Sequence, residues 1–170
     1  MLKQMLAITL AFCTTVALGA DLPKRKSGLW EITSTSSASA KANQPVVSMS
    51  MCVDQNSDAD WIQSGQQMSQ VKCSKQETKV ERDRILFNSV CNFGKSTVTS
   101  RGVASGDFNK AYKVETQSTY EPPLPGMKDA SSTITAKWLS PCKTGQRPGD
   151  IIMSNGTTIN MNDMMKSMKK

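Results

Sequence analysis

The sequence predicts a mainly β protein: an antiparallel meander of about seven strands, with one short helix after the second strand and a helical tail at the C-terminus. The meander is expected to form a curved sheet or a small barrel. Three observations predict this. Short stretches alternate apolar and polar residues, the period of a strand with one wet face. Turn residues separate these stretches. Aromatic residues make up only 5% of the chain, and cysteines follow an apolar leader, which suggests a thin core stapled by disulfides.

The first strand is expected at Leu29–Ser34, where Trp30 and Ile32 share a face. A Ser/Ala-rich loop follows from Thr35 to Gln44. The second strand ends at Cys52, with Val47, Met49 and Met51 on one side and Ser48 and Ser50 on the other. The period then changes. Ser57 with Asp60 resembles a helix cap and its acidic partner, and Ala59, Ile62 and Gln66 extend one face, so a helix is expected to end near Gln67. Val71–Val80 and Arg84–Phe93 flank the polar turn Glu81-Arg82-Asp83. Ser96–Ala104 is rich in Thr and Val and is expected to stop at a Ser105-Gly106 turn. Phe108–Tyr120 alternates Phe108, Tyr112, Val114 and Tyr120 against Asn109, Lys113, Glu115 and Gln117. The proline-rich stretch from Glu121 to Gly126 is expected to stay outside any sheet, because proline lacks the N–H donor. Ser132–Leu139 carries Ile134, Ala136 and Trp138 in phase. The tail holds a hairpin signal at Ser154-Asn155-Gly156 and a helix capped by Asn160 or Asn162.

The first residues read as an export signal. Lys3 precedes an uncharged apolar run from Met5 to Leu18, which ends in small residues that suit cleavage after Gly19 or Ala20. That run is too short to span a bilayer, which takes about 20 apolar residues, and no later transmembrane segment is expected. Cys13 lies inside the run after bulky Phe12 and reads as a discarded hydrophobe. The organisation is therefore a signal peptide at 1–20, a disulfide-stapled β domain at 21–142, and a C-terminal extension at 143–170. The mature protein is expected in the periplasm or outside the cell.

In an oxidising compartment, Cys52, Cys73, Cys91 and Cys142 are expected to pair. Four cysteines allow three connectivities. If Val80 pairs with Arg84, Cys73 falls opposite Cys91, and Cys52 is left for Cys142. The spacings lack CxxC pairs and do not suit zinc.

The landmarks also resemble a family. The segment Arg25-Lys26-Ser27-Gly28-Leu29-Trp30-Glu31, the position of Cys52 before an acidic helical stretch, the Cys73 and Cys91 pair, and Cys142 after a strand are together similar to the bacterial domain-of-unknown-function family 3617. The resemblance spans residues 24–142 and implies an exported or periplasmic protein. It implies no activity and no catalytic residues. Ser140-Pro141 departs from the glycine that often precedes the family's last cysteine, and nothing carries over to the tail.

The chain has no histidine. This removes imidazole bases, Ser-His and Cys-His pairs, and histidine metal sites. No nucleophile elbow or phosphate-binding glycine loop occurs. Asp58 and Asp60 are neighbouring carboxylates better suited to capping than to acid–base work. Asp54–Asp60 imitates the start of a calcium loop but has Ala59 and Gly65 where glycine and glutamate are needed. No cofactor and no catalytic residue is expected. The formal charge of +7 is spread along the chain and reads as a solubilising surface; export makes nucleic acid an unsuitable partner. Asn155-Gly156-Thr157 fits a glycosylation sequon, though Asn-Gly is better explained as a turn.

Three expectations of function remain. The first is a non-enzymatic exported domain that binds an envelope partner. The second is a carrier of a small apolar ligand, with a pocket lined by Phe87, Tyr112, Val114 and Trp138. The third is a Cu(I) site of Met161, Met164, Met165 and Met168, whose i, i+3, i+4, i+7 spacing puts their thioethers on one helical face. The same face also suits docking onto the sheet or a weak membrane-surface contact beside Lys166, Lys169 and Lys170.

Overall fold

The computed structural model describes residues 22–37, 46–55 and 72–168. The signal segment, the helix expected after the second strand, the carboxylates Asp58 and Asp60, and most of the calcium-like stretch lie outside the described residues.

Among the described residues, nine strands form one antiparallel sheet: β1 (Gly28–Ser36), β2 (Val47–Val53), β3 (Lys72–Glu81), β4 (Arg84–Phe93), β5 (Ser96–Asp107), β6 (Ala111–Leu124), β7 (Met127–Ser140), β8 (Asp150–Met153) and β9 (Thr158–Asn160). One helix, α1 (Met161–Met168), follows. The order across the sheet is β3-β4-β5-β6-β7-β1-β2-β8-β9. Strands β3 to β7 are the expected meander. β1 returns to pair with β7, and β2 follows it. The edges β3 and β9 do not pair with each other, so the sheet is open and not a closed barrel. The expected seven strands become nine because the tail hairpin joins the sheet, with Met49 and Met51 of β2 facing Met153 and Ile151 of β8.

Three local expectations are corrected. Ser105-Gly106 is not a turn. β5 runs on to Asp107, Gly106 lies opposite Tyr112, and the chain reverses at residues 108–110. Gly106 has φ 119, and a side chain there would meet the Ala111 carbonyl. The glycine therefore admits a close backbone approach inside a strand. Phe108 consequently sits in the turn, stacked on Tyr112 with ring centroids 4.9 Å apart.

The prolines do not end β6. Pro122 and Pro123 lie within it, and the β6–β7 register jumps between Thr119 and Leu124, so no donor is required of them towards β7. The Ser96 hydroxyl instead donates to the Pro122 carbonyl at 2.8 Å. Leu124 pairs with Met127 around Pro125-Gly126, which starts β7 earlier than expected.

The β3–β4 register also differs. Glu81 faces Arg84 and Val80 faces Ile85, one residue away from the expected pairing. That shift alone would oppose Cys73 to Asn92. A bulge at Ser74 inserts one residue and brings Cys73 back opposite Cys91. The bond Cys73–Cys91 forms across this bulged edge, and Cys52–Cys142 closes a separation of 90 residues.

The core lies on one face. Trp30 is 0% exposed and packs with Met51, Val53, Ala136 and Ile151. Truncating a side chain of this kind costs roughly 3–5 kcal/mol. Its indole N–H donates to the Lys26 carbonyl at 2.8 Å, which ties the N-terminal strap to β1. Lys26 in turn donates its backbone N–H to the Phe108 carbonyl at 3.2 Å.

The tail is held by backbone and carboxylate bonds. Gly149 N–H donates to the Cys52 carbonyl, and Met161 N–H to the Gly149 carbonyl, both at 2.9 Å. Buried Asp150 accepts from the Arg147 backbone N–H and from the Asn160 amide, each at 2.7 Å. The Asn160 side-chain oxygen also accepts from Asp163 N–H at 3.2 Å, making Asn160 the cap of α1. Asn162 instead donates to the Pro148 carbonyl.

Candidate ligand-binding cavity

Residues facing each other across an antiparallel ladder share a face. The register therefore sets which side chains meet. Ile85 faces Ala104, Ala104 faces Val114, and Val114 faces Ile134. In the neighbouring row Tyr112 faces Ala136, Ala136 faces Ile32, Ile32 faces Met49, and Met49 faces Met153. Two apolar rows thus run across most of the sheet.

The sheet curls around these rows. Thr78 of β3 and Ile151 of β8 line the same cavity, although they belong to strands near opposite edges. Twist accumulates across many strands, and bulges and strand glycines add curvature. Gly102 contributes directly: a Cβ there would collide with the Phe87 ring, so the glycine lets Phe87 lie down over β5. The resulting cavity has a volume of about 630 Å³, within the range of roughly 300–1,000 Å³ usual for small-molecule pockets. Its wall is mainly apolar and includes Phe87, Val114, Ile134, Ile32, Met49 and Met51.

The strap before β1 forms one side of the cavity. Leu22, Pro23 and Arg25 line it. Arg25 is 6% exposed. Its guanidinium donates to the Tyr112 hydroxyl at 3.4 Å and approaches the Met51 sulfur at 3.9 Å. In the sequence Arg25 reads only as part of the basic run Lys24-Arg25-Lys26 that opens the mature chain. The signal available was its position three residues before Gly28, in a segment that folds back over Trp30.

Of the four residues expected to line a pocket, Phe87, Tyr112 and Val114 do so and Trp138 does not. Trp138 packs at the margin of the core cluster, over Gly28. Its indole N–H donates to the Ser27 carbonyl at 3.1 Å, and the Lys26 ammonium lies 3.7 Å from its ring centroid. Gly28 has φ 139, and a side chain there would collide with Trp138 and the Ser140 carbonyl. The Gly-Leu-Trp landmark thus has a physical basis: the glycine admits one tryptophan and the next buries itself.

The methionines of α1 have different surroundings. Met161 packs against the core cluster, Met165 is half-buried, and Met164 is 41% exposed. The Met168 side chain lies outside the described residues. Among the described residues, no group of three or more His, Cys, Asp or Glu side chains could hold a metal ion. Asn155 accepts from Thr157 N–H at 3.0 Å in the β8–β9 turn, so its side chain closes a local turn. Among the described residues, no helix is long and apolar enough to cross a membrane.

The family model described as a protein of unknown function (DUF3617) matches residues 25–142. The chain belongs to this family. The match begins at Arg25 and ends at Cys142, so the DUF3617 region contains β1 to β7 and both disulfides. The hairpin β8–β9 and α1 follow it. No curated protein and no solved structure matches the chain.

Proposed function

We propose that this DUF3617 protein is exported and acts as a non-enzymatic carrier of a small apolar molecule, held against the concave face of the sheet. The observation that carries the reading is the apolar cavity of about 630 Å³ walled by both ends of the sheet. A sheet whose inner face served only as a core would close on its own side chains at native packing density. Met49 and Met51 favour an adaptable wall, because unbranched thioether side chains repack around differently shaped guests. Binding without catalysis is supported by the residue inventory: the sequence has no histidine, and Cys52, Cys73, Cys91 and Cys142 are engaged in disulfides. Those bonds also suit an oxidising compartment.

The test uses the neutral dye N-phenyl-1-naphthylamine. The protein is expected to bind it with enhanced fluorescence. Val114→Trp adds bulk between Ala104 and Ile134 and should weaken dye binding about tenfold or more, with the circular-dichroism spectrum retained; overpacking costs roughly 1–3 kcal/mol of stability. Absence of dye binding by the wild type, or equal binding by a folded Val114→Trp variant, would refute the carrier reading.

A further inference from the structure

We infer that the ligand is an elongated, uncharged amphiphile with a hydroxylated head group, and that this head binds in a second hollow on the same face of the sheet, beside Ser100, Ser118 and Tyr120. This deepens the carrier reading and rests on it. The hollow has a volume of about 260 Å³. Among the described residues, Cys91, Phe93, Val98, Ser100, Ser118 and Tyr120 line it.

The ladder joins this hollow to the large cavity. Alternate residues along a strand share a face, and so do facing residues of neighbouring strands. The row Ile85, Ala104, Val114 and Ile134 is apolar. The next row on that face is Phe87, Gly102, Thr116 and Ser132, and the one after it is Ser89, Ser100, Ser118 and Ala130. Cys91, Val98 and Tyr120 follow. The concave face therefore passes from hydrocarbon to hydroxyl and then to an aromatic rim. Ser89 lines the large cavity and faces Ser100, which lines the hollow, so the two spaces adjoin.

The hydroxyl rows set the chemistry of the head. The Ser100 and Ser118 hydroxyls are hydrogen-bonded at 2.8 Å. A hydroxyl donates one hydrogen and accepts at two lone pairs, so that bond takes up only part of what the pair offers. Such a pair suits a head that itself both donates and accepts, as a hydroxyl does. Tyr120 adds an apolar ring with a polar tip, which suits a boundary between wet and dry surroundings. A charged head brought here from water would give up hydration that neutral hydroxyls return incompletely. Length follows from the strands. From Ala136, opposite Ile32, to Ala130, opposite Ser118, β7 covers six residues, roughly 20 Å. A chain lying over Ile32 and Val114 thus reaches the hydroxyl rows only if the molecule is extended. A monoacylglycerol and an alkyl glycoside share this chemistry, and their heads distinguish them.

The experiment measures displacement of N-phenyl-1-naphthylamine from the delipidated protein at neutral pH. The competitors are 1-dodecanoylglycerol, dodecyl glucoside, methyl dodecanoate and dodecanoate, each below its micelle-forming concentration. At least one hydroxylated compound is expected to act at about tenfold lower concentration than methyl dodecanoate, the worth of one or two hydrogen bonds, and dodecanoate should act more weakly than that compound. Whichever hydroxylated compound is tighter identifies the head as glycerol or sugar, and either result supports the inference. Replacing Ser100 and Ser118 together with alanine removes both partners of one hydrogen bond, which is nearly neutral for stability. It should abolish the preference and leave methyl dodecanoate and the dye unchanged. If that variant does not fold, Ser89→Ala should still reduce the preference about threefold, the loss of one hydrogen bond. Equal displacement by methyl dodecanoate and both hydroxylated compounds overturns the inference and leaves the carrier reading standing. So does tighter binding of dodecanoate, or a preference that persists in the folded double variant. Failure of the dye itself to bind overturns both.

Discussion

Single residues here do work that their type alone does not reveal. Asp150 is one. Its carboxyl is held below the ordinary value of 3.8, first by the hydrogen bond from the Arg147 backbone and then by that from the Asn160 amide. A carboxylate with a lowered folded pKa adds stability above its unfolded pKa, and that contribution is lost as pH falls through the folded value. Asp150→Asn should therefore be less stable than wild type at neutral pH by about 2 kcal/mol, the worth of a hydrogen bond to a charged group. The gap should narrow as pH drops below 3.8. Thermal melts of both proteins across that range check this; a gap that stays constant would remove Asp150 as the cause. Residue-level features were unevenly legible. Phe87, Tyr112 and Val114 could be assigned to one face because alternation in a strand is a local property. Arg25 could not, since burial of a charge depends on how the strap folds back over the sheet. Trp138 was in phase with the cavity face, yet its place at the end of β7 put it over Gly28, beyond the cavity.

At the scale of elements, bulges decide what alternation leaves open. Strand positions followed from pattern, and β4 runs from Arg84 to Phe93 as the sequence predicts. Register did not follow. The pairing of Cys73 with Cys91 was expected from a register that the structure shifts by one residue, and the bulge at Ser74 compensates. A bulge is a choice between nearly equal local pairings, settled here by which side Cys73 must face. The bond ties β3, an edge strand, to its neighbour β4, and exposed ion pairs such as Lys79–Glu81 at 2.6 Å charge that edge against further pairing. Replacing Cys73 and Cys91 together with serine should cost about 3 kcal/mol by loop entropy. Native-state hydrogen exchange should then speed up in β3 while β1 and β7 stay protected. Uniform acceleration across the sheet would show that the edge does not open by itself.

For the molecule as a whole, the cavity is a product of curvature. Its wall draws on β3 at one side and β8 at the other, separated in sequence by more than the length of the meander. The tail hairpin helps to complete it, because β8 pairs with β2 beside Met49 and Met51 and contributes Ile151. The proposed export has its own check. Mass spectrometry of the intact protein recovered from the cell envelope should give the mass expected after cleavage at Gly19 or Ala20. It should also show a deficit of about 4 Da relative to the reduced chain, since each disulfide removes two hydrogens. An uncleaved chain with free thiols would refute export. Native spectra of the same sample would reveal a retained ligand by its added mass.

The sequence by itself determined the β class, the approximate places of the strands and a tail helix with Asn160 or Asn162 as its cap, because alternation, turn chemistry and capping act over a few neighbouring residues; it favoured the cysteine pairing that forms, though through a register the structure shifts. Its landmarks also pointed to the family. Tertiary structure alone decided that the sheet is open, that it has nine strands with the tail hairpin among them, and that Arg25 enters an apolar wall. Those outcomes depend on accumulated twist, on bulges, and on contacts between segments far apart in the chain, for which local pattern carries no signal.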